Sequence, residues 1–266
     1  MPELPEVATV VHGLKIRIIG KRLTEIREFR KNTVNYHQIE PECDFGNIAE
    51  VERRGKFIIW KTSAGQLIVI HLRMTGKLVY SEKLPESLAH VRAWFRFSDG
   101  SGVYFHDVRT FGTIDLYPLG HSVKALEKLG PEPMGDDFNL EYLKNITRNR
   151  KAPIKNLLLN QNIIAGLGNI YAAEILFRAQ VRPDRKAADL TISQLRRIVE
   201  QTKQVLAEAI NCNGTTISDF RDSDDARGSF QRFLRVYQKD RCSCGEEIIK
   251  IKLANRSSFY CPKCQK

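Results

Sequence analysis

Apolar residues near the start of the chain recur at Val7, Val10, Val11, Leu14 and Ile18, and Gly20 follows them. Steps of three and four predict one amphipathic helix stopped by the glycine. Between residues 23 and 116 the period shortens. Residues 57–60, 66–72, 77–80, 91–97 and 103–105 read as strands, and the Ser-Asp-Gly-Ser-Gly stretch at 98–102 reads as a hairpin turn. About a hundred residues of this kind predict a β-sandwich or barrel. Gly130-Pro131-Glu132-Pro133-Met134-Gly135 is breaker chemistry and marks a domain boundary. Beyond it Leu140 and Leu143, then Leu157, Leu158 and Ile164, then 170–177, then Leu195, Ile198, Val199 and Leu206 predict successive helices ending near Asn213-Gly214. The fold class is α+β, in three segments at 1–132, 133–226 and 227–266.

Charge adds a partner to this picture. The 42 Lys and Arg exceed the 31 Asp and Glu by 11, and the pI is near 9.4, which points to a polyanion, with nucleic acid ahead of membrane. Residues 227–266 hold ten Lys/Arg against three Asp/Glu and so carry +7 of the +11. Phe230, Phe233, Tyr237, Phe259, Tyr260 and four cysteines in the same stretch suit a folded module. No run approaches the roughly 18 apolar residues of a membrane span. No signal-peptide pattern opens the chain either, so the expected setting is cytoplasmic and no membrane partner is expected.

In a reducing compartment clustered cysteines read as metal ligands rather than disulfides. Cys242-x-Cys244 and Cys261-x-x-Cys264, with sixteen residues between the pairs, offer four thiolates from two knuckles, which suits one structural zinc. Ser243 alone separates the first pair, where two to four residues are usual. Cys43 and Cys212 read as small apolar residues. Between two apolar helices, Ala165-Gly166-Leu167-Gly168-Asn169-Ile170 is either a tight helix–turn–helix corner or a helix N-terminus presented to phosphate, with Asn169 able to cap the helix and to donate. The opening Met1-Pro2-Glu3-Leu4-Pro5-Glu6 also has two readings. Pro2 and Pro5 pre-set a helix start with Glu3 and Glu6 at its positive end. Alternatively, loss of Met1 frees Pro2 as a secondary amine, titrating near pKa ~8 and able to form an iminium with a sugar carbon.

Taken together, these motifs resemble the bacterial formamidopyrimidine-DNA glycosylase family, shared with endonuclease VIII. The likeness rests on 2–6, Gly55-Lys56, the His-Leu-Arg-Met-Thr-Gly run at 71–76, the Asp-Val-Arg-Thr-Phe-Gly run at 107–112, 166–171 and 256–265, all in order along the whole chain. It implies an N-terminal β-sandwich preceded by a catalytic helix, a helix-two-turn-helix domain and a zinc-finger β-hairpin. It also implies a monomeric base excision repair enzyme acting on damaged double-stranded DNA, a glycosylase and AP lyase in one.

By the same resemblance Pro2 is the nucleophile at C1′, Glu3 the acid/base and Glu6 a supporting acid. Lys56, beside the catalytic group, joins His71, Asn169 and Arg256 in gripping phosphates. Met74, Arg109 and Phe111 match the wedge, the donor to the orphaned opposite base and the stacking aromatic. Pinching the backbone at several phosphates bends the duplex, which offsets part of the cost of flipping a base out. Cys242, Cys244, Cys261 and Cys264 hold the zinc. Leu4, where endonuclease VIII relatives usually carry Gly, favours oxidised purines over oxidised pyrimidines. Residues 222–230 resemble the loop that closes over flipped 8-oxoguanine, although Asp225, Arg227 and Ser229 stand where glycine, proline and an aromatic are common. The alternatives are a pyrimidine-directed sister enzyme and a catalytically silent damage-binding protein.

Overall fold

The computed structural model describes residues 1–216 and 221–266. Its contacts divide the chain into two compact units, Met1–Val123 with Cys212–Ser229, and Lys124–Asn211 with Phe230–Lys266. These limits differ from the three segments read in sequence. Thr215, Ser223 and Asp224 bond to the N-terminal unit, and the cysteine module shares a core with the helices, neither of which local composition reveals.

The first unit opens with α1, Leu4–Ile18, with Pro5 in its first turn and its buried stripe at Leu4, Val7, Val10, Val11, Leu14 and Ile18. Gly20 ends it at φ +82, a left-handed conformation costly for other residues. Nine strands follow: β1 Leu23–Glu28, β2 Val34–Tyr36, β3 Ile48–Arg54, β4 Phe57–Thr62, β5 Gln66–His71, β6 Lys77–Ser81, β7 Val91–Phe97, β8 Gly102–His106 and β9 Thr113–Pro118. They form a four-stranded sheet ordered β1-β7-β8-β6 and a five-stranded sheet ordered β2-β9-β5-β4-β3. Among the described residues, only β2 and β9 pair in parallel. Trp60, Ile68, Ile70, Ile114 and Leu116 of one sheet, Leu78, Phe95, Val103 and Phe105 of the other, and the apolar stripe of α1 make one core. The predicted sandwich is the observed one.

The second unit contains α2 Lys124–Glu127, α3 Leu140–Thr147, α4 Ile154–Leu159, α5 Asn169–Arg178 and α6 Ile192–Asn211, then a hairpin of β10 Ile249–Leu253 and β11 Arg256–Tyr260. Ile164, expected on the helix with Leu157 and Leu158, lies beyond the end of α4 in the turn before α5. Ala173 of α5 packs with Val236, Ile248, Phe259 and Cys261, which gives the hairpin a core in common with the helices. Among the described residues no helix is long and apolar enough to cross a membrane.

Candidate active site and nucleic-acid interface

In the first unit the candidate catalytic groups gather at the start of α1. Pro2 is buried just ahead of the helix, and Glu3 and Glu6 are 3% and 1% exposed. Glu6 Oε2 accepts the Glu3 N–H at 2.8 Å, the returning half of a capping box. Its Oε1 accepts the Thr215 N–H at 2.6 Å. A buried carboxylate is tolerated where donors satisfy it, and here each oxygen has one from a different part of the chain.

Lys56 and His71 flank the β4–β5 pairing. Both are buried, and His71 meets Phe57 edge-on at 4.6 Å between ring centres. Burial, with the charges of Arg73 and Lys56, lowers the His71 pKa to about 3. Its Nδ1 accepts the Arg73 N–H at 2.9 Å, so the one proton of the neutral ring sits on Nε2, the nitrogen left to donate. At neutral pH His71 therefore offers a hydrogen bond without a charge.

Met74, Arg109 and Phe111 occupy two adjoining loops and are all exposed, Met74 at 40% and Phe111 at 51%. The Arg109 guanidinium lies 4.9 Å from the centre of the Phe111 ring, a cation–π contact that orients both. Asp107 holds these loops together. It is 1% exposed, and its Oδ1 takes the Thr75 hydroxyl and the Arg109 N–H at 3.2 Å, while Oδ2 takes the Gly112 N–H at 2.8 Å. The Arg109 N–H also reaches Thr75 Oγ1 at 3.0 Å. Asp107 and Thr75 lie inside motifs quoted from the sequence, yet residue type alone assigned neither a role.

In the second unit the glycine turn places Gly166 at φ +85 and makes Gly168 the N-cap of α5. Asn169, expected as the cap, is instead the first helical residue. Its Nδ2 donates to the Ser257 carbonyl at 2.9 Å. Lys155 Nζ, fully buried, donates to Ser258 Oγ at 2.9 Å and reaches the Ser257 carbonyl at 3.4 Å. The N-terminus of α5 and the hairpin strand are thus joined at Ser257, next to Arg256. Arg256 is exposed and follows the left-handed pair Ala254 and Asn255, a two-residue hairpin turn. Glu174, fully buried on α5, accepts backbone N–H groups of Arg235, Val236 and Tyr237 at 2.8, 3.0 and 2.9 Å, fixing the path into the cysteine module. The sequence showed Lys155 and Glu174 only as charges on apolar helices, which is the signal that marks a buried polar anchor.

The four cysteines converge. Their sulfurs all lie within 4.8 Å of one another, with Cys242–Cys264 at 3.9 Å and Cys244–Cys261 at 3.6 Å. Four sulfurs about 2.3 Å from a tetrahedral zinc stand roughly 3.8 Å apart, so the set fits. The short first knuckle works because the chain reverses within it. Gly245, at φ +86, returns its N–H to the Cys242 carbonyl at 2.9 Å, and the Cys242 N–H reaches the Glu246 carbonyl at 2.9 Å. These cysteines are the ligand set of one structural zinc.

Family models match along the chain in the same order as these features. Residues 1–114 match the formamidopyrimidine-DNA glycosylase N-terminal domain, 129–221 the formamidopyrimidine-DNA glycosylase H2TH domain, and 243–266 the zinc finger found in FPG and IleRS. A formamidopyrimidine-DNA glycosylase of Pelotomaculum thermopropionicum is 40% identical, with all of this chain and 99% of the relative covered. The chain belongs to the formamidopyrimidine-DNA glycosylase family. Another member, from Heliobacterium modesticaldum, is also 40% identical, with both chains fully covered. Among solved structures, a mutant of the Lactococcus lactis glycosylase in complex with Fapy-dG-containing DNA matches at a TM-score of 0.90 and 34% identity, both chains fully covered. The Thermus thermophilus glycosylase matches at 0.89 and 35% identity, covering 99% of this chain and 98% of that one. Family membership accounts for the paired sheets, the helical unit and the zinc hairpin occurring in one polypeptide.

Proposed function

We propose that this chain is a bifunctional DNA glycosylase and AP lyase that excises oxidised purines, 8-oxoguanine and formamidopyrimidines, from duplex DNA. The observation that carries the reading is Pro2, buried just ahead of the positive end of α1, where Glu3 and Glu6 are buried as well. Relatives named for formamidopyrimidine excision and a neighbour bound to Fapy-dG-containing DNA support the substrate class.

With Met1 removed, the Pro2 amine attacks C1′, the bond to the damaged base breaks, and the base leaves with the electron pair. Glu3 protonates the ring oxygen as the sugar opens. The amine loses its proton, and an iminium joins Pro2 to C1′. That cation acidifies the C2′ proton, whose removal expels the 3′ phosphate. A second elimination expels the 5′ phosphate and leaves a one-nucleoside gap. Lys56 and His71 hold backbone phosphates in the first unit, and Asn169 and Arg256 do so in the second. Met74 and Phe111 fill the vacated stack, while Arg109 donates to the opposite base. The zinc is structural, because four thiolates leave no open position for water.

Borohydride present during reaction with 8-oxoguanine duplex should yield a covalent protein–DNA adduct, and Pro2→Gly should greatly reduce strand cleavage. N-terminal mass should show Pro2 as the first residue. A protein with a free Pro2 that nicks neither 8-oxoguanine nor formamidopyrimidine duplex, while acting on 5,6-dihydrouracil, would overturn the substrate assignment.

A further inference from the structure

Residues 212–216 and 221–229 are remote from α1 in sequence, yet Thr215, Ser223 and Asp224 meet one face of it. Glu6, Gly13 and Arg17 are seven and eleven residues apart, which at 3.6 residues per turn leaves them within about 40° of one another. Each meets this segment. Glu6 accepts the Thr215 N–H at 2.6 Å, a Cβ on Gly13 would fall 1.9 Å from Ser223 Oγ, and Arg17 bonds Asp224 at 3.0 Å. Tyr80, on the edge strand β6, donates its N–H to the Ser223 carbonyl at 2.9 Å.

The two ends of the segment close on each other as a neck. The Ser229 N–H and Oγ both donate to the Cys212 carbonyl, at 2.9 and 3.2 Å, and the Gly228 N–H donates to Thr216 Oγ1 at 3.0 Å. Asn213 and Gly214 are both left-handed, at φ 56 and 75. A Cβ on Gly214 would lie 2.8 Å from Glu6 Oε1 and 3.2 Å from the Glu6 Cα, so the neck presses directly on that carboxylate. The other oxygen of Glu6 holds the Glu3 N–H. That N–H belongs to the peptide joining Pro2 to Glu3, and one rotatable bond separates this peptide from the carbon bearing the Pro2 nitrogen.

We infer that Gly214 and Thr215 are positioning residues for the reaction, setting the attitude of the Pro2 amine through Glu6. The inference rests on Pro2 being the nucleophile. Its distinctive content is that the neck governs attack at C1′ even when the sugar bears no base. A loop that only cradles a flipped base is silent on an abasic site.

The test is single-turnover borohydride trapping on duplex carrying an abasic site. Gly214→Ala is expected to slow trapping by between about tenfold and about a hundredfold at unchanged DNA affinity, the range that small misplacement of a reacting group produces. Gly228→Ala, whose Cβ would fall 2.3 Å from the Gly214 carbonyl oxygen, pushes the neck from its other strand and should slow trapping likewise. Gly65→Ala is the control, since Gly65 is also left-handed at φ +88 but has nothing within 4 Å of its added Cβ. It should trap at the wild-type rate. In Glu6→Gln, where an amide donor faces one of the two N–H groups, Gly214→Ala should add less than its full factor. Wild-type trapping rates for both neck variants, or a Gly214→Ala factor undiminished by Glu6→Gln, would overturn the inference. Absence of any adduct from the wild-type protein would instead refute the Pro2 reading and this inference with it.

Discussion

Replacing Asp107 tests how the wedge loops are held. Its carboxylate is 1% exposed and accepts from Thr75, Arg109 and Gly112. Asp107→Asn keeps one oxygen but turns an amide donor toward an N–H, so one bond is lost and one buried donor is left without an acceptor. Hydrogen bonds to charged groups contribute about 1.5–3 kcal/mol each, and a stranded buried donor costs about 1–3 kcal/mol. The two are overlapping views of one change, so about 2–3 kcal/mol is the expected loss for Asn. Asp107→Ala strands the Thr75 hydroxyl and the Gly112 N–H, while the Arg109 N–H keeps Thr75 Oγ1 as an acceptor, and the expected loss is about 3–4 kcal/mol because the loops relax. At about 2–4 °C per kcal/mol for a unit of this size, the Asn variant should melt about 4–12 °C lower. Arg109 and Phe111 are carried by the same loop. The variant should therefore also lose discrimination, shown as a smaller ratio of excision opposite cytosine to excision opposite adenine. Calorimetry and single-turnover excision on the two duplexes measure both effects. An Asp107→Ala protein within about 0.5 kcal/mol of wild type, with its opposite-base ratio intact, would refute the claim that Asp107 organises the wedge.

Other outcomes are equally open to measurement. Metal analysis should return about one zinc per chain, and Cys244→Ser should lose the metal together with DNA affinity. Arg256→Ala should weaken binding to damaged and undamaged duplex alike and reduce the slope of log affinity against log salt by about one, as read by titration at several salt concentrations. His71 stays neutral in the folded protein down to about pH 3, while the unfolded chain takes up the proton near 6.5. Its contribution to stability is therefore complete above about pH 6.5 and declines as the pH falls toward 3, and His71→Gln should flatten that part of a urea-midpoint profile.

What the sequence made legible is what local pattern encodes. The stripe at Val7, Val10, Val11, Leu14 and Ile18 is periodic, so α1 and its glycine stop could be read directly, as could the core strands β4, β5 and β7. The four cysteines were legible because their chemistry needs few residues. The short β2 was not, since three residues carry no period, and its parallel partner β9 is remote in sequence. The N-cap of α5 fell to Gly168 rather than Asn169 because the extended backbone before the helix is at the glycine. Polar anchors were the least visible. Glu174 and Lys155 show only as charges on apolar helices until the backbone N–H groups of 235–237 close around the first, and Ser257 and Ser258 of the hairpin around the second.

The N-terminal unit is not contiguous, and this bears on how the protein is made. A ribosome releases the first 123 residues as a nearly complete sandwich, but the piece that satisfies Glu6 Oε1 and fills the groove at Gly13 emerges some ninety residues later. At about 5–20 residues per second that interval is several seconds or more. During it the N-terminal end of α1 lacks one of its buried donors, and the free edge of β6 lacks its bond to Ser223. Exposed strand edges invite pairing with other chains. Slow or interrupted synthesis of the helical unit therefore puts the finished-looking N-terminal half at risk of aggregation, and its last contacts to form are those beside the candidate nucleophile.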